Sequence, residues 1–224
     1  MGRRPIAFAL FCASAAAASA QSDAVAVAPE VHRVVIENAF VRVLETRFAA
    51  GHPVPSHTHR RRVVVVLSAS RVRNTRGDGK MEIADHRMGD VFWSDATEHS
   101  IEVIAGVVHE IETEIKEEAP PRAGHTARDV AERFPELARV LLENDRVRVI
   151  DLRGEAGQGF PFHFHPARVI VNLGSARSVV TIPNKAPYIT DYHPAAAYWA
   201  EPIEHSDAVL LGIVHNISIE IKSR

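Results

Sequence analysis

From residue 31 onward the chain is written in short apolar runs that alternate with polar residues and stop at Gly, Asn or Pro. "VVIENAFVRVLETRF", "RVVVVLSASRVRNT" and "HSIEVIAGVVHEIETEIK" are rich in Val and Ile and keep a period of two, the pattern of half-buried strands. The last run is broken at Ala105-Gly106, which predicts a hairpin there. Two segments depart from the pattern. Residues 117–136, "EEAPPRAGHTARDVAERFPE", begin as a proline-rich join and predict a short helix over 126–134, capped by Thr126 with Asp129 three residues on. Residues 1–20 open with Arg3-Arg4, run apolar from Ile6 and close on Ala18-Ser19-Ala20, the layout of a secretory signal peptide cleaved before Gln21.

The strand pattern is written twice. A shift of 106 residues lays 31–116 on 137–222 without a gap, with 33 identities in 86 positions by direct count. "ENAFVRVLE" meets "ENDRVRVID", and "EHSIEV" meets "EHSDAV". The expected organisation is therefore all-β: an antiparallel barrel or sandwich over 31–116, a join over 117–136, and a second such unit over 137–222.

Composition narrows the chemistry. Cys12, the one cysteine, lies inside the expected leader, so a mature chain has no disulfide, thiolate metal site or cysteine nucleophile. The formal charge is −2, and −4 once Arg3 and Arg4 are removed (24 basic against 28 acidic residues). No long run of one sign remains, so neither nucleic acid nor an anionic membrane is an expected partner.

Histidine is where the duplication becomes informative. Of thirteen histidines, eight fall into matched pairs under the shift: His57/His163, His59/His165, His99/His205 and His109/His215. His32, His52, His86, His125 and His193 have no histidine partner. On a strand, His57 and His59 point to one face about 6.6 Å apart. Two imidazoles so placed converge on one ion at about 2.0–2.1 Å from each nitrogen. The alternation continues through Arg61, Val63 and Val65, which places the pair on the face leading into an apolar interior. His99 and His205 each follow their His-x-His by 40 residues and supply a third donor.

Gly-x5-His-x-His, in "GHPVPSHTH" and "GQGFPFHFH", followed by a later His after a Gly-Asp turn in "MGDVFWSDATEHS", resembles the cupin pattern, and the tandem arrangement resembles the bicupins. The resemblance covers nearly all of the mature chain. It implies two jelly-roll barrels, each binding a divalent metal (Fe, Mn, Zn, Ni or Cu) through His57, His59 and His99, and through His163, His165 and His205. It also admits pairing of barrels into a homodimer. Two departures stand out. The glutamate that the family places four or five residues after the second His is Val63/Val64 in one copy and Val169/Ile170 in the other, so a fourth protein ligand is expected to be missing from both. Gly89-Asp90 is replaced by Ala195-Ala196.

Three neutral histidines leave the ion's charge uncompensated, which favours a small anionic molecule as partner. The resemblance then implies an exported dioxygenase-type oxidoreductase. The alternatives are a non-catalytic metal- or ligand-binding module and a sugar or sugar-acid isomerase. No matched acid or base is expected in the pocket, which counts against the isomerase. His109 and His215, in phase with Ile111, Thr113 and Ile115 and with Ile217, Ile219 and Ile221, are expected to face inward, as second-shell groups or satisfied core histidines. Trp93 and Trp199 either wall the pocket or plug the barrel end. Arg62 and Arg168, out of phase with the histidines, are expected in strand-edge salt bridges. Phe160 and Phe162 are expected to pack between barrels or sheets, and Glu98 and Glu204 to point away from the metal.

Overall fold

The computed structural model describes residues 22–117 and 129–222. The expected leader and Thr126 lie outside the described residues. After a one-turn helix α1 (Ala24–Val27), the first unit contains β1 (His32–Glu37), β2 (Val41–Ala49), β3 (Val54–His59), β4 (Arg62–Val66), β5 (Ser70–Arg76), β6 (Met81–His86), β7 (Val91–Ser94) and β8 (Thr97–Ile115). The second repeats it with α2 (Val130–Arg133), β9 (Ala138–Glu143), β10 (Val147–Glu155), β11 (Gly159–His165), β12 (Arg168–Asn172), β13 (Ala176–Thr181), β14 (Tyr188–Tyr192), β15 (Ala197–Ala200) and β16 (Ile203–Ile221). All pairings are antiparallel within two eight-stranded sheets. The architecture is two tandem antiparallel jelly-roll barrels.

One 19-residue strand closes each barrel. The first half of β8 pairs with β3 and β5, and its second half with β2 and β4; β16 does the same in the second copy. The hairpin expected at Ala105-Gly106 is instead a bulge within this continuous strand. The register slips between Arg71 and Val72, and Gly106 takes φ 77°. A Cβ there would meet Ala69 O at 2.4 Å, and at Gly212 it would meet Ser175 O at 2.2 Å. Only glycine lets the strand turn from one face of its barrel to the other.

The largest core lies between the barrels. Val41, Val43, Val63, Val65, Ile111 and Ile115 of the first copy pack with Val147, Val149, Val169, Val171, Ile217, Ile219 and Ile221 of the second. The strand "RVVVV" is buried along its whole length because one face meets this core and the other lines its own barrel.

This reverses part of the expected phase. Arg60 and Arg61 turn the chain between β3 and β4, so His59 faces the barrel interior with Arg62 and Val64, while Val63 and Val65 face the partner barrel. His109 and His215 share that outer phase and do not enter the barrels. They pair with Glu45 at 3.0 Å and with Asp151 at 3.1 Å. Trp93 and Trp199 pack at the rim of the same core, where Trp199 stacks on Phe40 with ring centroids 5.5 Å apart; Trp93 also reaches the first cavity. Phe160 lies inside the second barrel against Val130, Ile150 and Leu152, whereas Phe162 is exposed.

The repeat begins earlier than its strands. Asp23 and Asp129 match under the shift, each caps its helix by accepting from Val25 N or Ala131 N, and each ties a matched arginine. Asp23 pairs with Arg42 at 2.7 Å and Asp129 with Arg148 at 2.9 Å. The helix expected over 126–134 thus begins at Val130 with Asp129 as its cap, and it packs on the second barrel.

Candidate metal centres

In the first barrel β3 and β8 are registered so that His57 lies opposite His99; in the second, His163 lies opposite His205. That pairing converts a 40-residue separation into contact. Ring centroids are 4.8 Å apart for His57–His59, 4.7 Å for His57–His99 and 5.5 Å for His59–His99. The second trio repeats this at 4.7, 4.6 and 5.4 Å.

Hydrogen bonds fix how the rings present themselves. His57 Nδ1 donates to the Pro55 carbonyl at 2.7 Å, and His163 Nδ1 to that of Pro161 at 2.8 Å. A carbonyl only accepts, so these rings carry their proton on Nδ1 and turn a bare Nε2 inward. His59 Nδ1 donates to Glu114 at 3.2 Å, and His165 Nδ1 lies 3.6 Å from the matched Glu220. His99 Nδ1 meets Asn74 Oδ1 at 3.3 Å, leaving its buried Nε2 without a hydrogen bond. The Nε2 atoms of His57 and His59 are 3.0 Å apart, as are those of His163 and His165. In the first barrel both rings hold their proton on Nδ1, so the two facing lone pairs repel at that distance unless a cation lies between them. In the second, His165 Nδ1 has no hydrogen bond, and its Nε2 is free to donate to His163 Nε2. About 3.0 Å is also the edge made by two donors at right angles around an ion about 2.1 Å from each. The donor sets fit a divalent metal.

The first barrel contains a fourth imidazole. His32, on β1, has its ring 5.0 Å from that of His57 and 5.3 Å from that of His59. The donor atoms of His32, His57 and His59 lie within 4.8 Å of one another, as do those of His163, His165 and His205. His32 Nδ1 donates to Thr46 Oγ1 at 3.0 Å, and Thr46 donates onward to Glu112 at 2.5 Å. Its Nε2 is buried without a partner. The family's glutamate is missing from both copies, as expected, and the first barrel sets a further candidate donor, His32, beside its trio. In the second, Ala138, Leu152 and Ser218 stand where His32, Thr46 and Glu112 do, so that this chain is absent.

Charge around the centres also differs from expectation. Glu110, Glu112 and Glu114 alternate with Ile111, Thr113 and Ile115, and their face is the barrel interior because the other face is the inter-barrel core. Burial alone would raise Glu112, but His59, Arg62 and His32 hold its carboxyl well below the usual range. Glu114 is likewise lowered against its burial, by His59 and Arg42. Arg62 is no strand-edge residue: its Nε contacts Glu112 at 2.6 Å inside the barrel. Arg168 is equally buried. Glu98, as expected, points outward, accepting from Ser56 at 3.1 Å.

Burial keeps six of these imidazoles neutral. It pushes His32 down to about 4 and His99 and His205 to about 3; His57 and His163 are lowered and His165 lies well below its ordinary value, burial again leading. Neutral rings at physiological pH are what metal ligation requires. Each centre opens into a cavity, about 630 Å³ in the first barrel and 580 Å³ in the second.

His32 was hidden from sequence reasoning because the test was a histidine in both copies. The glutamates were hidden because an acidic face on a strand reads as solvent-facing until its opposite face is known to be buried.

No protein-family model matches this sequence, and no curated protein matches it. Solved structures do. The oxalate decarboxylase of Bacillus subtilis, a protein with Mn(II) centres, superposes over 83% of this chain and 70% of its own with a TM-score of 0.54 and 12% identity. The Lactobacillus farciminis oxalate decarboxylase, in a formate complex, does so over 82% and 77% with a TM-score of 0.54 and 11% identity. A cupin domain from Bordetella pertussis aligns with 46% of this chain and 96% of its own at 19% identity and a TM-score of 0.36. The two decarboxylases carry the comparison, because they alone of these three span both barrels, and what they share with this chain is the fold.

Proposed function

We propose that this chain, a tandem barrel of the cupin fold, holds a divalent metal ion in each barrel and acts as an exported, dioxygenase-type oxidoreductase on a small anionic molecule. The observation that carries the metal reading is the inward convergence of imidazoles in both barrels, with Nδ1 of His57, His59 and His163 committed to acceptors behind them. A bound ion would supply Lewis acidity and positions for exogenous ligands. Imidazole donors suit Zn, Cu, Fe and Ni, and the Mn(II) of the B. subtilis neighbour adds manganese to the ions to be tried.

The residues of this chain aim the donors and place Arg62 and Arg168 in the same cavities. A leader over 1–20 would carry the protein out of the cytoplasm.

One observation favours a second reading, isomerisation of a sugar or sugar acid. His86 pairs with Glu110 at 3.1 Å in the wall of the first cavity, and that bond raises the imidazole above its ordinary value. A proton-transfer group of this kind is what such chemistry needs.

The readings separate by loading metal-stripped protein in turn with Fe, Mn, Zn, Ni and Cu. O2 uptake is then followed with an anionic diketone, a phenol and a thiol. Uptake with one of them, lost in the His57→Ala/His163→Ala double variant, is expected. No uptake by any loaded form contradicts the oxidoreductase reading.

A further inference from the structure

Arg62 and Arg168 match under the repeat, are both buried, and meet different neighbours. In the first barrel the guanidinium has a carboxylate of its own chain, Glu112, at 2.6 Å. In the second, Glu112 is replaced by Ser218 and Glu110 by Asn216. Among the described residues Arg168 has no ion pair within 4.0 Å, and its one hydrogen bond runs from Nη1 to the Pro166 carbonyl at 3.3 Å. A carbonyl does not neutralise the charge. The Ser218 hydroxyl is buried and has no hydrogen-bond partner. Both residues line the cavity of about 580 Å³ that reaches His163, His165 and His205.

Of the acids in that wall, Asp191 accepts from Arg177, Glu201 from Trp199 at 2.7 Å and Asp207 from the Tyr192 hydroxyl at 2.9 Å. Glu220, opposite Arg168 in register across β16, is the carboxyl that acts on it most, yet it makes no ion pair or hydrogen bond with the guanidinium. Removing a carboxylate while keeping its buried arginine leaves a charged group that costs free energy unless an anion arrives. A guanidinium fork matches a carboxylate best, through two parallel bonds. Ile170, Val180, Tyr192 and Tyr198 line the same cavity and offer apolar and aromatic surface to an organic body.

We propose that the second barrel binds the ionised carboxylate of a small organic molecule through Arg168 and Ser218, in the place that the first barrel fills with its own Glu112. The inference deepens the proposed function by naming the class and the barrel of its anionic ligand, and its role in turnover rests on that reading; binding itself does not. The two barrels are then unequal, the first internally neutralised and the second open to ligand.

Calorimetric titration of acetate, malonate and benzoate, with acetamide as the uncharged control, tests this on the full chain, both metal-loaded and chelator-treated. At least one carboxylate is expected to bind saturably at one site per chain in both forms, and acetamide is not. Arg168→Gln weakens that binding at least tenfold. Ser218→Glu, which rebuilds the first barrel's internal pair, removes it. Glu112→Ser, which frees Arg62, adds a second site. Melting temperatures confirm that each variant is folded, and Ser218→Glu keeps the test open should Arg168→Gln fail to fold. Absence of saturable binding in both forms overturns the proposal, as does binding seen with metal only and unchanged in the folded variants. Loss of metal binding alone would defeat the proposed function while the titration of metal-free protein still reads Arg168.

Discussion

His59 and His165 each stand in front of a buried glutamate, Glu114 or Glu220, but only His59 is hydrogen-bonded to its glutamate, at 3.2 Å, the kind of contact that orients a candidate ligand. Glu114→Gln is expected to weaken metal at the first centre by about 10–100-fold while leaving the second unchanged. Competition with a chromophoric chelator, read as two separable dissociation constants, checks it. His32→Ala should bring the first centre to the three-imidazole set of the second and move its affinity toward the second's. Equal affinities in the native protein would argue against His32 as a ligand. At this scale the matched histidine pairs were legible in the sequence, because duplication exposes what both copies keep. His32, Thr46 and Glu112 were not, because the second copy replaced all three with Ala138, Leu152 and Ser218, and absence from one copy reads as irrelevance.

Strands were legible wherever one of their faces is apolar, and their phase was not. β4 and the second half of β8 are buried on both faces, so alternation could not say which face is the barrel's own interior. The consequence was an inverted assignment for Arg62, Arg168, His109 and His215. The long strand has a mechanical requirement of its own. Gly106→Ala and Gly212→Ala place a Cβ against a carbonyl oxygen at 2.4 and 2.2 Å, with φ of 77° and 75°. Each is expected to cost more than about 1–3 kcal/mol, the range for backbone strain alone. Gly51→Ala, at φ 88° with nothing within 4 Å of its Cβ, should cost only that strain. Urea midpoints of the three variants order them, and similar midpoints would show that the bend tolerates a side chain.

The whole molecule stores its polarity inside its barrels and its largest apolar core between them, which gives the metal-free protein a particular weakness. Burial holds His32, His57, His99, His163, His165 and His205 below their ordinary value of 6.5. As pH falls below 6.5 the unfolded chain takes up these protons, whereas folded His32 resists until about 4 and His99 and His205 until about 3. The unfolded state binds more protons across that window, so stability falls with pH. Lowered Glu112 and Glu114 act in the same direction below 4.5. Glu220, raised by burial to about 8, acts oppositely between 4.5 and 8, and His86 and Asp207, raised above 6.5 and 3.8, do so too, three groups against six. Metal-free protein should therefore melt at progressively lower temperature from pH 7 to pH 4 by calorimetry. A flat profile would mean that the buried imidazoles are not neutral.

The most direct test is the metal content of the full chain. After metal-replete purification, elemental analysis should give two divalent ions per chain, reduced to one by His57→Ala and to one by His163→Ala. No bound metal in the folded protein under those conditions would contradict the claim that each set of inward imidazoles is a metal centre.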